Sequence, residues 1–307
     1  MTAGASPILV IKLGALGDFV QALGPFAAIR RHHGGQNITL LTVRPFAQFA
    51  SASGYFDQIW EDPRPAVWEI GKWLDLRRRL RGGGFARVYD LQTSDRSSFY
   101  YRLFAAKPEW SGIARGCTHP HANPRRDFMH TVERQAEQLK LAGIDDVPLA
   151  DLSWAEADIA RFSIEGPYAL LAAGGAAHRP AKRWAGENYG ELAARLAGAG
   201  IEPVLIGGRE EAELLDGICR QCPTARNLAG LTTLQDVAVL ARNAVGALGN
   251  DTGPMHLSAV AGCRSVVLYS AESDPALCAQ RGPAVEIVRR DSLAELSVDE
   301  VWAALGT

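Results

Sequence analysis

The sequence predicts two parallel-sheet α/β domains, and three observations carry that prediction. Short apolar runs alternate with helix-length amphipathic runs in both halves. A stretch at 143–167, bearing Gly143, Asp145, Asp146, Pro148, Gly166 and Pro167, interrupts that rhythm and reads as a linker. The length, 307 residues, is too great for one small core. The domains are accordingly set at 1–150 and 151–307.

The first half opens with a buried strand at 8–11 that ends at Lys12. Gly14 and Gly17 allow a tight turn, and a helical pattern runs from 19 to 31, with Pro25 predicting a kink or restart. Asp18 stands at the mouth of this turn. On the residues alone it reads first as a helix N-cap, and second as a general base or a binding carboxylate. The spacing is not GxGxxG, so no dinucleotide fingerprint is present. Strands follow at 38–43 and 58–61, a helix at 68–81, a strand at 88–91, a helix at 94–104 and a strand at 109–114. The helix at 68–81 carries Arg77, Arg78, Arg79 and Arg81, which reads first as a solvated face. Asp95 and Arg96 lie just past a strand's carboxyl end, on the same rim as Asp18. Residues 115–127 read as a loop. Cys117, His119 and His121 in it mimic a metal cluster, but two prolines make it a poor template for coordination, and a basic binding loop fits better. The helix at 129–141 pairs Glu133 and Glu137 with Arg134 and Lys140 at helical spacings.

The second half repeats the pattern. Strands are expected at 168–172, 203–206, 244–248, 265–269 and 285–288, with a short segment at 225–228. Helices are expected at 187–197, 210–219, 234–242, 255–263 and 298–305, with Thr232 or Thr233 capping the third. Lys182 follows a Gly/Ala-rich loop at a strand's carboxyl end. It reads either as a surface lysine or as a partner for a diphosphate. Asp251, Thr252, Gly253 and Pro254 join a strand to a helix. With Pro254 at the first helical position and Gly253 as N-cap, several free N–H groups would point outward and favour an anion.

Composition narrows the class. Apolar content of 47% with 21% charged residues is that of a soluble globular protein. The net charge of −2 divides into +5 over 1–150 and −7 over 151–307, which suits an anionic partner for the first half. No apolar run of about 20 residues exists to span a bilayer. The start is broken by Lys12 and Asp18 and does not read as a signal peptide, so a cytoplasmic location is expected. The five cysteines, with Cys219 and Cys222 as a lone CxxC, have no framework spacing and fit a reducing compartment.

Together these residues resemble glycosyltransferase family 9, the ADP-heptose:lipopolysaccharide heptosyltransferases and their relatives. The resemblance spans nearly the whole chain. It rests on KLGALGD at 12–18, on Lys182-Arg183-Trp184 with Tyr189 and Leu192 behind it, on IGGREE at 206–211, and on NDTGPMHL at 250–257. It implies the GT-B fold, with two Rossmann-like domains facing across a cleft and the last helix packing back on the first domain. The first domain would take the acceptor and the second the nucleotide sugar. The implied reaction is an inverting displacement that needs no metal and no cofactor. Asp18 would be the base and Lys182 the partner of the leaving diphosphate. Asp251, Thr252, Gly253, Pro254, His256, Thr232 and Glu211 would hold the donor, an ADP-heptose. Lys12, Gly14, Gly17, Asp95 and Arg96 would line the acceptor side. The acceptor would be an anionic glycolipid of the lipopolysaccharide core or another cell-surface glycan. It would be met at the cytoplasmic face of the inner membrane, with no nucleic-acid partner. Ala176 and Ala177 stand where the family often has hydroxyl residues. A nucleotide-sugar 2-epimerase and a non-catalytic nucleotide-sugar-binding protein are the alternatives on the same fold.

Overall fold

A computed structural model describes residues 6–176 and 178–306, so Ala177 lies outside the described residues. The chain divides into two compact units, Met1–Ala150 and Asp151–Thr307.

The first unit runs β1 (Ile8–Ile11), α1 (Leu16–Gln21), α2 (Leu23–His32), β2 (Ile38–Thr42), α3 (Arg44–Ala52), β3 (Gln58–Glu61), α4 (Ile70–Gly82), β4 (Arg87–Asp90), α5 (Asp95–Tyr100), β5 (Glu109–Gly112), β6 (His119–Pro120) and α6 (Thr131–Leu141). The second runs β7 (Tyr168–Ala172), α7 (Gly186–Gly198), β8 (Glu202–Leu205), α8 (Ala212–Gln221), β9 (Arg226–Asn227), α9 (Leu234–Asn243), β10 (Gly246–Asn250), α10 (Gly253–Val260), β11 (Ser265–Tyr269), α11 (Pro275–Cys278), β12 (Val285–Arg289) and α12 (Val298–Leu305).

Each unit holds a six-stranded sheet, β3-β2-β1-β4-β5-β6 in the first and β12-β11-β10-β7-β8-β9 in the second. The paired strands run parallel throughout. Strands β1, β2, β7, β10 and β11 are buried at every residue, which explains their unbroken apolar character: helices cover both faces of a parallel sheet. Counted from its own first strand, each sheet has the same order, 3-2-1-4-5-6. The connections therefore reverse direction between β1 and β4 and between β7 and β10. Beyond the carboxyl ends of strands flanking such a reversal, an open α/β sheet leaves a crevice for ligand.

Several expectations are corrected. The helix expected at 19–31 is two helices, and the break falls at Ala22 rather than at Pro25. Pro25 is the third residue of α2, where its ring would strike the carbonyl four residues earlier; the chain meets this by ending α1 at Gln21. The expected loop at 115–127 contains β6, which pairs with β5 through His119 and Pro120. A proline is tolerated there because β6 is the sheet's edge. Beyond the expected helical pairing, Glu133 engages His130 at 3.0 Å and Glu137 engages His121 at 3.1 Å. Helix α12 packs Val298, Val301 and Leu305 in one core with Leu192, Leu196 and Leu268, a fact that bears on the second unit alone.

Candidate functional site

In the second unit three loops leave the carboxyl ends of the neighbouring strands β8, β7 and β10. Asn250, the last residue of β10, ties its own loop to the segment after β7. Its amide donates to the Ala173 and Gly174 carbonyls at 2.8 and 3.0 Å, and its Oδ1 accepts from the Trp184 N–H at 3.0 Å and the Tyr189 hydroxyl at 3.2 Å. Asn250 is fully buried, so all these bonds matter: an unpaired amide there would be costly. This network fixes where Lys182 and Asp251 begin.

Lys182 Nζ lies 2.7 Å from Asp251 Oδ2, with side chains only 14% and 9% exposed. Three further donors reach the same carboxylate: Ser273 Oγ at 2.8 Å, the Tyr269 hydroxyl at 3.0 Å and Gln280 Nε2 at 3.2 Å. Burial works against ionising Asp251, but the Lys182 bond and charge, then Ser273 and the charge of His256, outweigh it and hold the carboxyl below the usual range. The surface-lysine reading of Lys182 therefore fails. Its ammonium is paired, largely buried and aimed at the loop after β10.

The loop after β10 departs from the expected capping. Thr252 is the N-cap of α10, Gly253 its first residue and Pro254 its second. Pro254 has no N–H, and the Met255 N–H bonds the Thr252 carbonyl at 3.2 Å. The helix start thus offers fewer free amides than a Gly253 cap would give. It offers instead the Thr252 hydroxyl, which caps nothing and is buried without a partner. Arg183 Nε beside it is likewise unpartnered, while its Nη2 donates to the Gly175 carbonyl. Buried polar atoms in this state point to a missing ligand or water.

Glu211 holds the two glycine loops. Its Oε1 accepts from the Gly175 N–H at 2.7 Å and its Oε2 from the Gly208 N–H at 2.9 Å. A carboxylate has lone pairs beyond those two, so hydroxyl groups could still be met there. A side chain at Gly174 would have to displace the Glu211 carboxylate from its two amide bonds, since an added Cβ would stand 1.7 Å from Glu211 Oε1. Gly174→Ala is expected to destabilise the protein by about 1–3 kcal/mol in denaturant unfolding. Adding Glu211→Ala should recover part of that loss, because the clash then disappears. Thr232 is half-buried just before α9, whose cap is its neighbour Thr233. His256 is buried in α10, one turn inside.

In the first unit the carboxyl ends of β1 and β4 carry a second cluster. Asp18 is the third residue of α1, whose N-cap position is Ala15; the N-cap reading of Asp18 is thereby corrected. Gly14 adopts φ +126°, open to glycine, and an added Cβ would press on Phe46 at 3.3 Å. Gly17 is the second residue of α1. Lys12, expected on the acceptor side, is buried, and its Nζ donates to the Leu91 carbonyl at 3.1 Å. Burial lowers its pKa, opposed by the charges of Asp18 and Asp90. It supports the site from beneath. Asp90 is fully buried; burial raises its pKa to about 6 against the Thr93 amide, and its Oδ2 has no partner.

Arg134 of α6 lies in the charge field of Asp18 and of Arg126. Arg126 bonds Asp127 through Nη1 at 2.8 Å, yet its Nε and Nη2 are buried without partners. Gln135 is 3% exposed with both amide atoms unpartnered. It shares a helix face with Gln138, whose amide reaches the Asp90 carbonyl at 2.9 Å. Asp95 is exposed at the start of α5. Arg96 does not turn toward this cluster: its Nη1 donates to the Pro65 carbonyl at 3.2 Å and its guanidinium sits 5.8 Å from the Trp73 ring centre. It fastens the segment before α4.

Among the described residues no group of three or more His, Cys, Asp or Glu is arranged to hold a metal ion. Cys219 and Cys222 are free thiols.

The model of glycosyltransferase family 9 (heptosyltransferase) matches residues 73–297. The chain belongs to glycosyltransferase family 9. Lipopolysaccharide heptosyltransferase 2 of Salmonella typhimurium is 36% identical over 104 residues, 32% of this chain and 30% of that one; the same figures hold for the Escherichia coli K12 protein. The matched stretch is thus under a third of those relatives' own length. The structure of E. coli ADP-heptose lipopolysaccharide heptosyltransferase II superimposes with a TM-score of 0.83 at 22% identity, covering 98% of this chain and 97% of that one. A family 9 glycosyltransferase from Veillonella parvula gives 0.84 at 19% identity, covering 100% and 97%. These likenesses establish the GT-B fold.

Within this family 9 chain, sequence reasoning missed Tyr269, Ser273 and Gln280 around Asp251, Arg134 in the charge field of Asp18, and the buried Gln135 next to it in α6. Tyr269 ends a strand at the same edge as Asn250, which was a usable signal. Ser273 and Gln280 flank α11, four residues long, and no periodicity announces them.

Proposed function

We propose that this chain transfers heptose from ADP-heptose to an anionic glycolipid acceptor of the lipopolysaccharide core, with inversion and without a metal. The observation that carries the reading is the Lys182–Asp251 pair beside the unpartnered Thr252 hydroxyl, at the reversal point of the second sheet in a family 9 chain. Lys182 and the start of α10 meet the diphosphate, and Asp251, Glu211, His256 and Thr232 serve the sugar and ribose. Asp18 takes the proton from an acceptor hydroxyl as its oxygen bonds the anomeric carbon. The bond from that carbon to the diphosphate breaks, and ADP leaves with the electron pair. A fixed cation at the leaving group lowers the barrier because it needs no reorganisation when charge develops. Arg126 and Gln135, whose buried polar atoms lack partners, and Arg134, in the charge field of Asp18, suit the carboxylate or phosphate of such an acceptor. A cytoplasmic location follows from the ADP-sugar donor.

The test is a thermal-shift panel of ADP, GDP, UDP and CDP. A ligand at about 100 times its Kd adds roughly 2.7 kcal/mol. Selective stabilisation by ADP, followed by transfer from ADP-heptose, is the expected result. Preference for another base discards heptose but keeps transfer. Conversion of a nucleotide sugar without any acceptor would favour the 2-epimerase, and no response to any nucleotide would overturn the donor assignment.

A further inference from the structure

We infer that the segment 65–81 of the first unit is a docking surface for an anionic lipid bilayer. Four large apolar side chains stand in solvent there: Val67 is 87% exposed, Trp68 81%, Ile70 68% and Leu74 51%. Isolated exposed apolar residues need no explanation, but a contiguous group marks an interaction surface.

These residues are presented by a built segment. Asp62 accepts from the Arg64 N–H at 2.7 Å and from the Tyr100 hydroxyl at 2.6 Å. Arg96 holds the Pro65 carbonyl, and Trp73 Nε1 donates to the Ala66 carbonyl at 3.0 Å. Glu69 accepts from the Ala66 N–H at 2.7 Å. The backbone on both sides of Val67 and Trp68 is thus fastened to α5 and α4, while the two side chains point away.

Charge decides what covers this face. Helix α4 buries Leu76 and Leu80, with Trp73 packed beside them in the core. A stripe on its exposed flank, about 100° round the helix from the buried face, reads Ile70, Leu74, Arg77 and Arg81 at helical spacing, with Arg78 adjacent. Five basic residues, Lys72, Arg77, Arg78, Arg79 and Arg81, stand in α4 against one acid, Asp75. Glu69 takes up Lys72, Asp75 takes up Arg78, Arg79 lies over the Trp60 ring and Arg81 Nε donates to the Leu103 carbonyl; the helix keeps a net positive charge, with Arg77 beside Ile70 and Leu74. A protein partner for an apolar patch does not require that excess. A bilayer with anionic headgroups does: apolar side chains enter the acyl boundary, Trp settles at the interface, and Arg side chains meet phosphate. The patch also begins just past the carboxyl end of β3, on the same edge of the sheet as Asp18. A lipid-anchored acceptor must arrive at that edge. This last link rests on the proposed acceptor; the patch itself does not.

The test is co-sedimentation of the full chain with vesicles of phosphatidylcholine alone and with about one-third phosphatidylglycerol. Binding is expected only to the anionic vesicles, and it should weaken as salt rises. Arg77→Glu with Arg78→Glu should lower the partition coefficient about tenfold or more. Trp68→Ser with Ile70→Ser should lower it by a similar factor at unchanged thermal stability. Wild-type protein that ignores anionic vesicles overturns the inference. So does a Trp68→Ser, Ile70→Ser variant that binds them as well as wild type. A wild-type dimer in sedimentation velocity that this variant dissolves would give the patch to a second copy of the chain. Vesicle binding is measured without turnover, so its failure is distinct from failure of the transferase reading, which the nucleotide panel tests.

Discussion

Asp18→Asn is expected to lower the rate of sugar transfer by about 10²–10⁴-fold while leaving ADP-induced stabilisation intact. The substitution keeps the size and shape of a half-buried side chain at the third position of α1 and removes only its capacity to take a proton. The donor-side groups all lie in the second unit, so the nucleotide response should not move. Lys12 supplies a second readout. It is buried beneath Asp18, and the Asp18 charge is the first of the influences that favour its ammonium form. Removing that charge pushes the Lys12 pKa further down. A group whose folded pKa is lowered below its unfolded value of about 10.4 opposes folding at pH values where the unfolded lysine is charged. The variant should therefore lose some stability near neutral pH and regain it as pH rises toward that unfolded value. A variant with unchanged transfer rate removes Asp18 from the role of base, whatever its stability does.

The parts of the chain that were legible are those where burial dictates residue type. The strands expected at 168–172 and 265–269 and the helix expected at 298–305 match β7, β11 and α12 residue for residue. A strand covered on both faces must be apolar throughout, and such a run can be seen in sequence. The carboxyl-edge loops were legible as loops, and their chemistry was half legible. Asp251 and Lys182 could be singled out by residue type, but their pairing at 2.7 Å depends on β7 and β10 being neighbours, a relation between residues 69 positions apart. Lys12 shows what residue type leaves out: the sheet continues to cover it, and the Leu91 carbonyl takes the place of water at its ammonium. Arg96 was placed on the right edge and in the wrong direction, since which way an arginine turns is decided by Pro65 and Trp73, far away in sequence. The cap of α10 moved by one residue because Thr252 takes extended dihedrals as well as glycine does, and proline is as welcome at the second helical position as at the first.

Lys182→Met is expected to abolish the response to ADP and to destabilise the second unit by about 3 kcal/mol. Removing one partner of a buried ion pair leaves the other charge without compensation, which costs roughly 3–5 kcal/mol. The lower end applies because Ser273, Tyr269 and Gln280 still donate to the Asp251 carboxylate. Lys182→Met combined with Asp251→Asn should recover most of the loss, since no charge is then stranded, yet it should not recover ADP binding. That split separates the stabilising role of the pair from its proposed role at the diphosphate. The pH dependence gives an independent sign. Asp251 has a folded pKa below its ordinary value of 3.8, so between the two the unfolded chain binds more protons and stability rises with pH. The contribution is complete above 3.8 and is lost as pH falls through the folded value. Lys182 is the largest influence on the lowering side, so the acid limb of the stability curve should flatten in Lys182→Met. Urea unfolding of wild type and both variants between pH 2 and pH 7 measures the stabilities and the acid limb, and thermal shift with ADP at pH 7 measures the nucleotide response. Equal losses in the single and double variants would mean that Lys182 stabilises the loop by packing its methylene chain, and that the ion pair is incidental to it.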